Sequence, residues 1–164
     1  MIVILMGVTA SGKSTVAAEL VRLTGWELAE GDDYHSAANK EKMHAGTPLT
    51  DEDRAPWLAN LHNVLAEWAR KGQNGIMTCS ALKQSYRDTL TAGIPTEKFR
   101  FVLLEAPVAV LEDRIIHRSG HFMNPGLLQS QLETLELPTN ALRVEAIGSS
   151  TEVANNILSH LTPA

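Results

Sequence analysis

Eight residues near the start of the chain have the types and the spacing of a phosphate-binding loop. Residues 7–14 read GVTASGKS, which matches the P-loop pattern G-x-x-x-x-G-K-S/T. In such a loop, backbone N–H groups and a helix N-terminus surround a polyphosphate. Lys13 would place a positive charge on the outer phosphates, and the Ser14 hydroxyl is the expected Mg²⁺ ligand. The predicted nucleoside triphosphate site comprises Gly7, Val8, Thr9, Ala10, Ser11, Gly12, Lys13, Ser14 and Thr15.

An acidic pair follows the second apolar segment of the chain. Asp32 and Asp33 come directly after a predicted strand, and ligands of parallel sheets bind at the carboxyl ends of the strands. A carboxylate that faces the P-loop can take a proton from an acceptor hydroxyl, and it can hold Mg²⁺ through water. The competing interpretation is a turn or a helix cap. We predict that Asp32, which is nearer the strand end, is the base, with Asp33 as the alternative.

Three basic residues could recognise an anionic acceptor. Arg54 lies in the first turn of a predicted long helix, and arginine suits bidentate binding of a carboxylate. Lys83 and Arg87 follow the third predicted strand one helical turn apart, so they would share a helix face. For all three residues, a solvated basic surface is the competing interpretation.

Two further arginines precede a predicted lid. Arg114 and Arg118 are one helical turn apart, and glycines at 120 and 126 bound the segment that follows. Closure of this segment would exclude water, and a mobile arginine can stabilise the charge on a transferred phosphoryl group. We therefore expect a helical lid at about residues 117–137. The spacing of the histidines predicts no metal site.

The elements that position these residues alternate along the whole chain. Helical patterns separate the apolar runs, with Gly25 as a predicted helix end and Thr50 as a predicted helix cap. This order predicts a three-layer α/β/α fold with a five-stranded parallel sheet. The predicted strands are residues 1–6, 26–30, 76–79, 101–104 and 142–147. One face of the long helix is predicted to carry Trp57, Leu58, Leu61, Leu65 and Trp68.

Length and composition limit the classes of protein that the chain could represent. Its 164 residues suit one domain spanning residues 1–164. The net charge of −5 and the absence of a basic stripe argue against nucleic acid as a partner. The single cysteine, Cys79, excludes an internal disulfide. The apolar start is too short for a signal peptide and lacks a basic leader, and no apolar run reaches the length of a membrane span. We expect a cytoplasmic enzyme with a small-molecule substrate and no membrane partner, as a monomer or a homodimer.

Further blocks of residues, in order along the chain, resemble the small P-loop gluconokinases, which are related to shikimate and nucleoside-monophosphate kinases. The blocks are 31–35 (GDDYH), 42–43 with 46 and 48–49, 51–58 (DEDRAPWL), 79–88 (CSALKQSYRD), 120–123 (GHFM) and 128–135 (LQSQLETL). Two residues depart from the family pattern. Ala10 stands where the family more often has glycine, and Tyr34 stands where relatives often have leucine.

The resemblance implies ATP-dependent phosphorylation of the terminal hydroxyl of D-gluconate, with Mg²⁺, to give 6-phosphogluconate. It implies that Arg114 lies along the adenine and that the turn at 148–150 receives the edge of the base. The implied catalytic residues are Lys13, Asp32 and Arg118, and the implied additional nucleotide contacts are Arg114, Gly148, Ser149 and Ser150. The implied acceptor-binding residues are Asp32, His35, Arg54, Lys83, Arg87 and His121.

Two alternatives stay open at this point. A kinase of the same fold could act on another small anionic acceptor, such as shikimate. A nucleotide-dependent switch is a different class, but the guanine-reading pattern Asn-Lys-x-Asp and the pattern Asp-x-x-Gly are both missing from the sequence. An acidic pair, a basic acceptor set and a lid favour an enzyme over a simple binding module.

Overall fold

Strand β1 (Ile2–Met6) is fully buried at the centre of a parallel sheet. The computed structural model describes residues 1–118 and 125–161. The other strands are β2 (Glu27–Glu30), β3 (Gly75–Thr78), β4 (Phe99–Glu105) and β5 (Leu142–Glu145). Within the described residues, the sheet order is β2-β3-β1-β4-β5, and every neighbouring pair is parallel. The predicted five-stranded parallel sheet is confirmed.

Helices cover both faces of this sheet. They are α1 (Lys13–Thr24), α2 (Ala37–His44), α3 (Asp51–Lys71), α4 (Gln84–Thr91), α5 (Val108–Ile116), α6 (Pro125–Thr134) and α7 (Ser150–Leu161). Successive side chains of a strand point to opposite faces. On one face, Val3 and Leu5 of β1 share a core cluster with residues of α1 and α7. On the other face, Ile4 and Met6 share a cluster with residues of α3 and α4. The predicted three-layer arrangement is therefore present.

Helix α3 shows how local sequence signals define an element. Thr50 accepts a hydrogen bond from the Asp53 backbone N–H, and the Asp53 carboxylate accepts one from the Thr50 N–H, which together form a capping box. The predicted cap at Thr50 is confirmed. All five residues of the predicted apolar face are buried, namely Trp57, Leu58, Leu61, Leu65 and Trp68. This stripe fixes the rotation of α3 about its axis against the sheet.

Gly31 permits a close approach that no other residue would allow. A Cβ atom at this position would lie 2.1 Å from the carbonyl oxygen of Thr78, at the end of the neighbouring strand. The Gly31 N–H donates a hydrogen bond to the Thr78 hydroxyl at 3.2 Å, and its carbonyl accepts one from the Trp57 indole at 2.8 Å. The glycine therefore lets the chain turn sharply at the end of β2, directly before Asp32.

Some element ends differ from the sequence prediction. Strand β3 ends at Thr78, so Cys79 lies just beyond the strand, although it is buried as expected. Helix α7 was expected to be capped by Ser150 or Thr151, and the capping side chain is instead Ser149, which accepts from the Glu152 N–H at 3.1 Å. The Thr151 hydroxyl is engaged elsewhere, with Glu19 of α1. No helix in the described ranges is both long and apolar enough to cross a membrane.

Candidate functional site

A cavity of about 800 Å³ opens at the carboxyl ends of the strands. This is the edge at which parallel α/β sheets bind ligands. Six polar residues from five different segments line it and carry the argument below: Lys13, Ser14, Asp32, Arg54, Arg118 and Gln131. The cavity therefore gathers the predicted phosphate loop, a carboxylate and two arginines in one place.

The P-loop has the backbone that its glycines predict. Gly7 and Gly12 have φ angles of 142° and 96°, which side-chain-bearing residues rarely adopt. Ala10 also has a positive φ, of 65°. This geometry explains why glycine is the more common residue at that position, because a Cβ atom in the left-handed region costs about 1 kcal/mol. The departure from the family pattern therefore strains the loop slightly and leaves its course intact.

Lys13 lies at the base of the cavity and is only partly exposed. Its ammonium group donates hydrogen bonds to the carbonyl oxygens of Gly7 and Val8, at 2.9 and 3.0 Å. Desolvation lowers the pKa of Lys13 from 10.5 to about 8, while the nearby Asp32 carboxylate opposes this shift and the Arg118 guanidinium adds to it. Since Asp32 and Arg118 both act on the ammonium, the three predicted catalytic residues lie within electrostatic reach of one another.

Glu30 is a site residue that the sequence reasoning missed. Its carboxylate accepts hydrogen bonds from the Ser14 hydroxyl at 3.1 Å and from the Thr78 hydroxyl at 2.5 Å. Ser14 is the predicted Mg²⁺ ligand, so a second oxygen donor stands directly beside it. Its position could have indicated a role in the site, because Glu30 is the last residue of β2 and Asp32 was selected for its place at the end of the same strand.

Asp32 lines the cavity, whereas Asp33 is absent from its lining. Both lie in the 3-10 turn Gly31–Tyr34 that follows β2. His35 also lines the cavity and stacks on Trp57, with ring centroids 4.1 Å apart. Its Nδ1 accepts a hydrogen bond from the Asn39 amide at 3.3 Å, and burial lowers the pKa of this imidazole. His35 is therefore a buried side chain at the wall of the cavity, held by Trp57 and Asn39, and burial favours its neutral form.

The three predicted acceptor-binding cations have different positions in the structure. Arg54 lines the cavity, and its Nη1 donates to the Leu49 carbonyl at 2.8 Å and to the Tyr86 hydroxyl at 3.2 Å. Lys83 is outside the lining and pairs with Asp51, with 3.4 Å between Nζ and Oδ1. The sequence predicted both residues as acceptor contacts, but Arg54 lines the cavity and Lys83 does not.

Arg87, the third of these cations, is buried and its guanidinium is fully engaged in the protein interior. It donates to the carbonyl oxygens of Ala81 at 2.6 Å and Glu136 at 2.7 Å, and also to Leu82 and Gln84. It does not reach the cavity. This geometry ties the segment after β3 to the segment after α6, so the structure assigns Arg87 an architectural position.

Arg114, which was predicted to lie along the adenine, donates a hydrogen bond to the P-loop. Arg114 donates from Nη1 to the Ala10 carbonyl at 3.1 Å and from Nη2 to the Ala146 carbonyl. It thus links the P-loop to the segment that leads into the turn at 148–150, where Gly148 has a φ of 92°. Neither Arg114 nor this turn is part of the cavity lining. His121 lies outside the described residues.

Helix α6, in the expected lid, contacts the P-loop directly. The side-chain oxygen of Gln131 accepts a hydrogen bond from the Thr9 N–H at 2.6 Å. Leu128 of α6 shares a small apolar cluster with Val8 and Ala10. The sequence analysis did not single out Gln131, although it lies within the block 128–135 that carries part of the family resemblance. The described part of the predicted lid, residues 117–118 and 125–137, therefore borders the phosphate site.

Comparisons with known proteins show which family the chain resembles in sequence and fold. The family model described as "AAA domain" matches residues 2–138. The gluconokinase of Gluconobacter oxydans strain 621H is 49% identical over 136 residues, which covers 82% of this chain and 75% of that protein. The crystal structure of a gluconokinase from Sinorhizobium meliloti 1021 has a TM-score of 0.86 at 41% identity and covers 97% of this chain and 90% of that one. Shikimate kinase from Aquifex aeolicus, at 18% identity and a TM-score of 0.61 with 98% and 96% coverage, shares the fold alone.

Proposed function

The chain belongs to the gluconokinase family, and we propose that it transfers the terminal phosphoryl group of ATP to a hydroxyl group of gluconate. The observation that carries this proposal is the cavity that joins Lys13, Asp32 and Arg54. A phosphate-binding cation, a carboxylate and an arginine are the three groups that a kinase of a hydroxylated acid needs. The shikimate alternative has weaker support, since the similarity to shikimate kinase is confined to the fold.

On the donor side, the P-loop backbone and Lys13 hold the outer phosphates of ATP. The Lys13 ammonium leaves the carbonyl oxygens of Gly7 and Val8 and turns to the phosphate oxygens. Arg118, on the cavity wall, stabilises the negative charge that spreads over the transferred group. Arg114 fixes the P-loop against the segment that leads to the turn at 148–150, so the sites for the phosphates and for the adenine keep a constant distance from each other.

The oxygen atoms of Ser14 and Glu30 fit a bound Mg²⁺ ion. Hydroxyl and carboxylate oxygens are the donors that this hard cation prefers, and the two are 3.1 Å apart. When bound, Mg²⁺ neutralises charge on the outer phosphates of the donor. Thr78 holds the Glu30 carboxylate in place through its 2.5 Å hydrogen bond.

On the acceptor side, Asp32 is the proposed general base. It takes the proton of the gluconate hydroxyl as that oxygen attacks the γ-phosphorus, and the bond to the oxygen that bridges the β- and γ-phosphates breaks to release ADP. Arg54 binds the carboxylate of gluconate at the other end of the acceptor. His35, stacked on Trp57, offers a hydrogen bond to the hydroxyls between these ends.

A steady-state screen of acceptors tests the function. With ATP and Mg²⁺, gluconate should be phosphorylated, while shikimate and nucleoside monophosphates should not. Turnover of another acceptor with none for gluconate would reject the proposal.

Within this screen, Asp32→Asn should lower kcat about 10²- to 10⁴-fold, because general-base catalysis contributes about that factor. ATP binding should hold, since the base acts on the acceptor. Asp33→Asn is the matched control, because Asp33 lies outside the cavity lining. A loss of turnover in Asp33→Asn but not in Asp32→Asn would move the base by one residue.

A further inference from the structure

Among the described residues, Arg54 is held by hydrogen bonds at one of its three guanidinium nitrogen atoms. Its Nη1 carries two hydrogens, one for the Leu49 carbonyl at 2.8 Å and one for the Tyr86 hydroxyl at 3.2 Å. Within the described residues, Nε and Nη2 make no hydrogen bond. These two nitrogens form the side-on edge of the guanidinium, which matches the two oxygens of a carboxylate. Arg54 thus has a fixed end and a bidentate edge left for a ligand.

A competing carboxylate lies close to this guanidinium. Asp51 is three residues earlier in α3, so the two side chains share a helix face, and Oδ1 of Asp51 is 4.0 Å from Nη1 of Arg54. A small rotation of either side chain would shorten this long ion pair to a direct, hydrogen-bonded one. Such a pair would offset the positive charge of Arg54 and so weaken its attraction for the carboxylate of the acceptor.

Tyr86 keeps this long ion pair from closing to a direct hydrogen bond. Its hydroxyl donates to Oδ1 of Asp51 at 2.5 Å and accepts from Nη1 of Arg54 at 3.2 Å, so the phenol oxygen bridges the two charged groups. Lys83 holds the same Asp51 oxygen from another side at 3.4 Å. The Lys83 ammonium and the Arg54 guanidinium are each 5.5 Å from the centre of the Tyr86 ring.

The position of the phenol is rigid. The Tyr86 residue is 6% exposed, and its ring belongs to the core cluster that contains Leu58 and Leu90. Burial and the hydrogen bond to Asp51 both raise the pKa of Tyr86, so the hydroxyl keeps the proton that it donates. Helix α4 therefore supplies a fixed hydroxyl group at the N-terminal end of α3.

We propose that Tyr86 is a positioning residue that holds Asp51 away from Arg54 and thereby keeps the guanidinium available for the carboxylate of the acceptor. This inference rests on the proposed function, since it concerns how the acceptor's carboxylate is recognised. It makes Tyr86 and Asp51, neither of which lines the cavity, determinants of the preference for acidic acceptors.

Tyr86→Phe tests the proposal while it keeps the ring in the core. The kcat/KM for gluconate should fall about 5- to 30-fold, through KM, because Arg54 loses one hydrogen bond and gains a competing partner. The kcat and the KM for ATP should stay within about twofold, since the carboxylate is remote from the transferred group. Thr89→Val is the matched control, because it removes an exposed hydroxyl from the same helix, and it should change neither constant.

Two double variants separate positioning from a structural role. In Tyr86→Phe/Asp51→Asn the competing charge is gone, so kcat/KM for gluconate should return to within about threefold of wild type. In an Arg54→Ala background, Tyr86→Phe should have no further effect on gluconate. A structural role predicts the opposite in both cases, namely no recovery with Asp51→Asn and an additive loss with Arg54→Ala.

Lys83→Met is a second test of the proposal, and it changes no core residue. It removes the other restraint on Asp51, so kcat/KM for gluconate should fall about two- to fivefold, and Asp51→Asn should restore it. An unchanged gluconate KM in Tyr86→Phe, or a loss that Asp51→Asn does not relieve, would overturn the inference. Failure of the proposed function itself would look different, because the wild-type protein would then show no turnover of gluconate.

Discussion

Alkaline pH should weaken ATP binding through a single group, Lys13. In the free protein, desolvation lowers the pKa of this lysine to about 8. A bound triphosphate places several negative charges beside the ammonium, and opposite charges favour the protonated form. ATP therefore binds the protonated protein more tightly, and binding above pH 8 must take up a proton.

The size of the effect follows from the pKa. At pH 7.5 about three quarters of the free protein carries a protonated Lys13, and at pH 9.5 about one thirtieth does. The dissociation constant of ATP should therefore rise about 25-fold over this range. The terminal phosphate, with a pKa of about 6, is already ionised throughout. Cys79, which also lines the cavity, does not contribute, because burial raises the pKa of its thiol to about 12.

Isothermal titration without acceptor measures both quantities. Titrations in two buffers of different ionisation enthalpy give the number of protons taken up, which should be about 0.1 at pH 7 and about 0.8 at pH 8.5. Lys13→Arg is the control, because a guanidinium stays charged across the range and its pH profile should be flat. A flat profile for the wild type with no proton uptake at pH 8.5 would refute the reasoning.

Two other residues give predictions that are specific to their positions. Arg87→Met should lower the free energy of unfolding by about 2–4 kcal/mol, because a buried guanidinium with five hydrogen bonds is lost; urea denaturation measures this, and a raised gluconate KM without destabilisation would instead place Arg87 at the acceptor. Thr78→Val should raise the Mg²⁺ concentration for half-maximal activity about fivefold, because Glu30 loses the donor that orients it. Titration of Mg²⁺ at fixed ATP checks this, and an unchanged requirement would separate Glu30 from the metal.

The sequence predicted the fold well, because the signals of the fold are local. The apolar run predicts β1, and the spacing of apolar residues predicts the buried face of α3. The cap at Thr50 is predicted by the residue types at Thr50 to Asp53 alone. Short parallel strands separated by helices leave few possible topologies. The cap of α7 was missed by one residue, since Ser149, Ser150 and Thr151 are all capable caps and only the backbone decides among them.

The site was predicted less completely, because its assembly depends on distances between separate segments. The rule that strand ends carry function selected Asp32, which lines the cavity, but it passed over Glu30 two residues earlier. Gln131 could not be selected by this rule, since it lies on a helix far along the chain and meets Thr9 only in the folded protein. Arg54, Lys83 and Arg87 look alike as sequence signals, and their different positions follow from which carbonyl or carboxylate oxygen lies within reach of each side chain.

The cations of the site are arranged so that their charge is available for substrate anions. The chain carries a net charge of −5, so its lysine and arginine side chains would ordinarily form ion pairs with carboxylates. Lys13 instead donates hydrogen bonds to carbonyl oxygens, and the Arg54 guanidinium is held 4.0 Å from the Asp51 carboxylate, with the Tyr86 hydroxyl bonded to both. A cation that has no directly hydrogen-bonded carboxylate partner binds an anion more strongly than one that must first leave such a partner. Lys13 and Arg54 are thus available for two anions, a polyphosphate and a carboxylate, and loss of the Tyr86 hydroxyl should weaken the binding of the acid without affecting that of ATP.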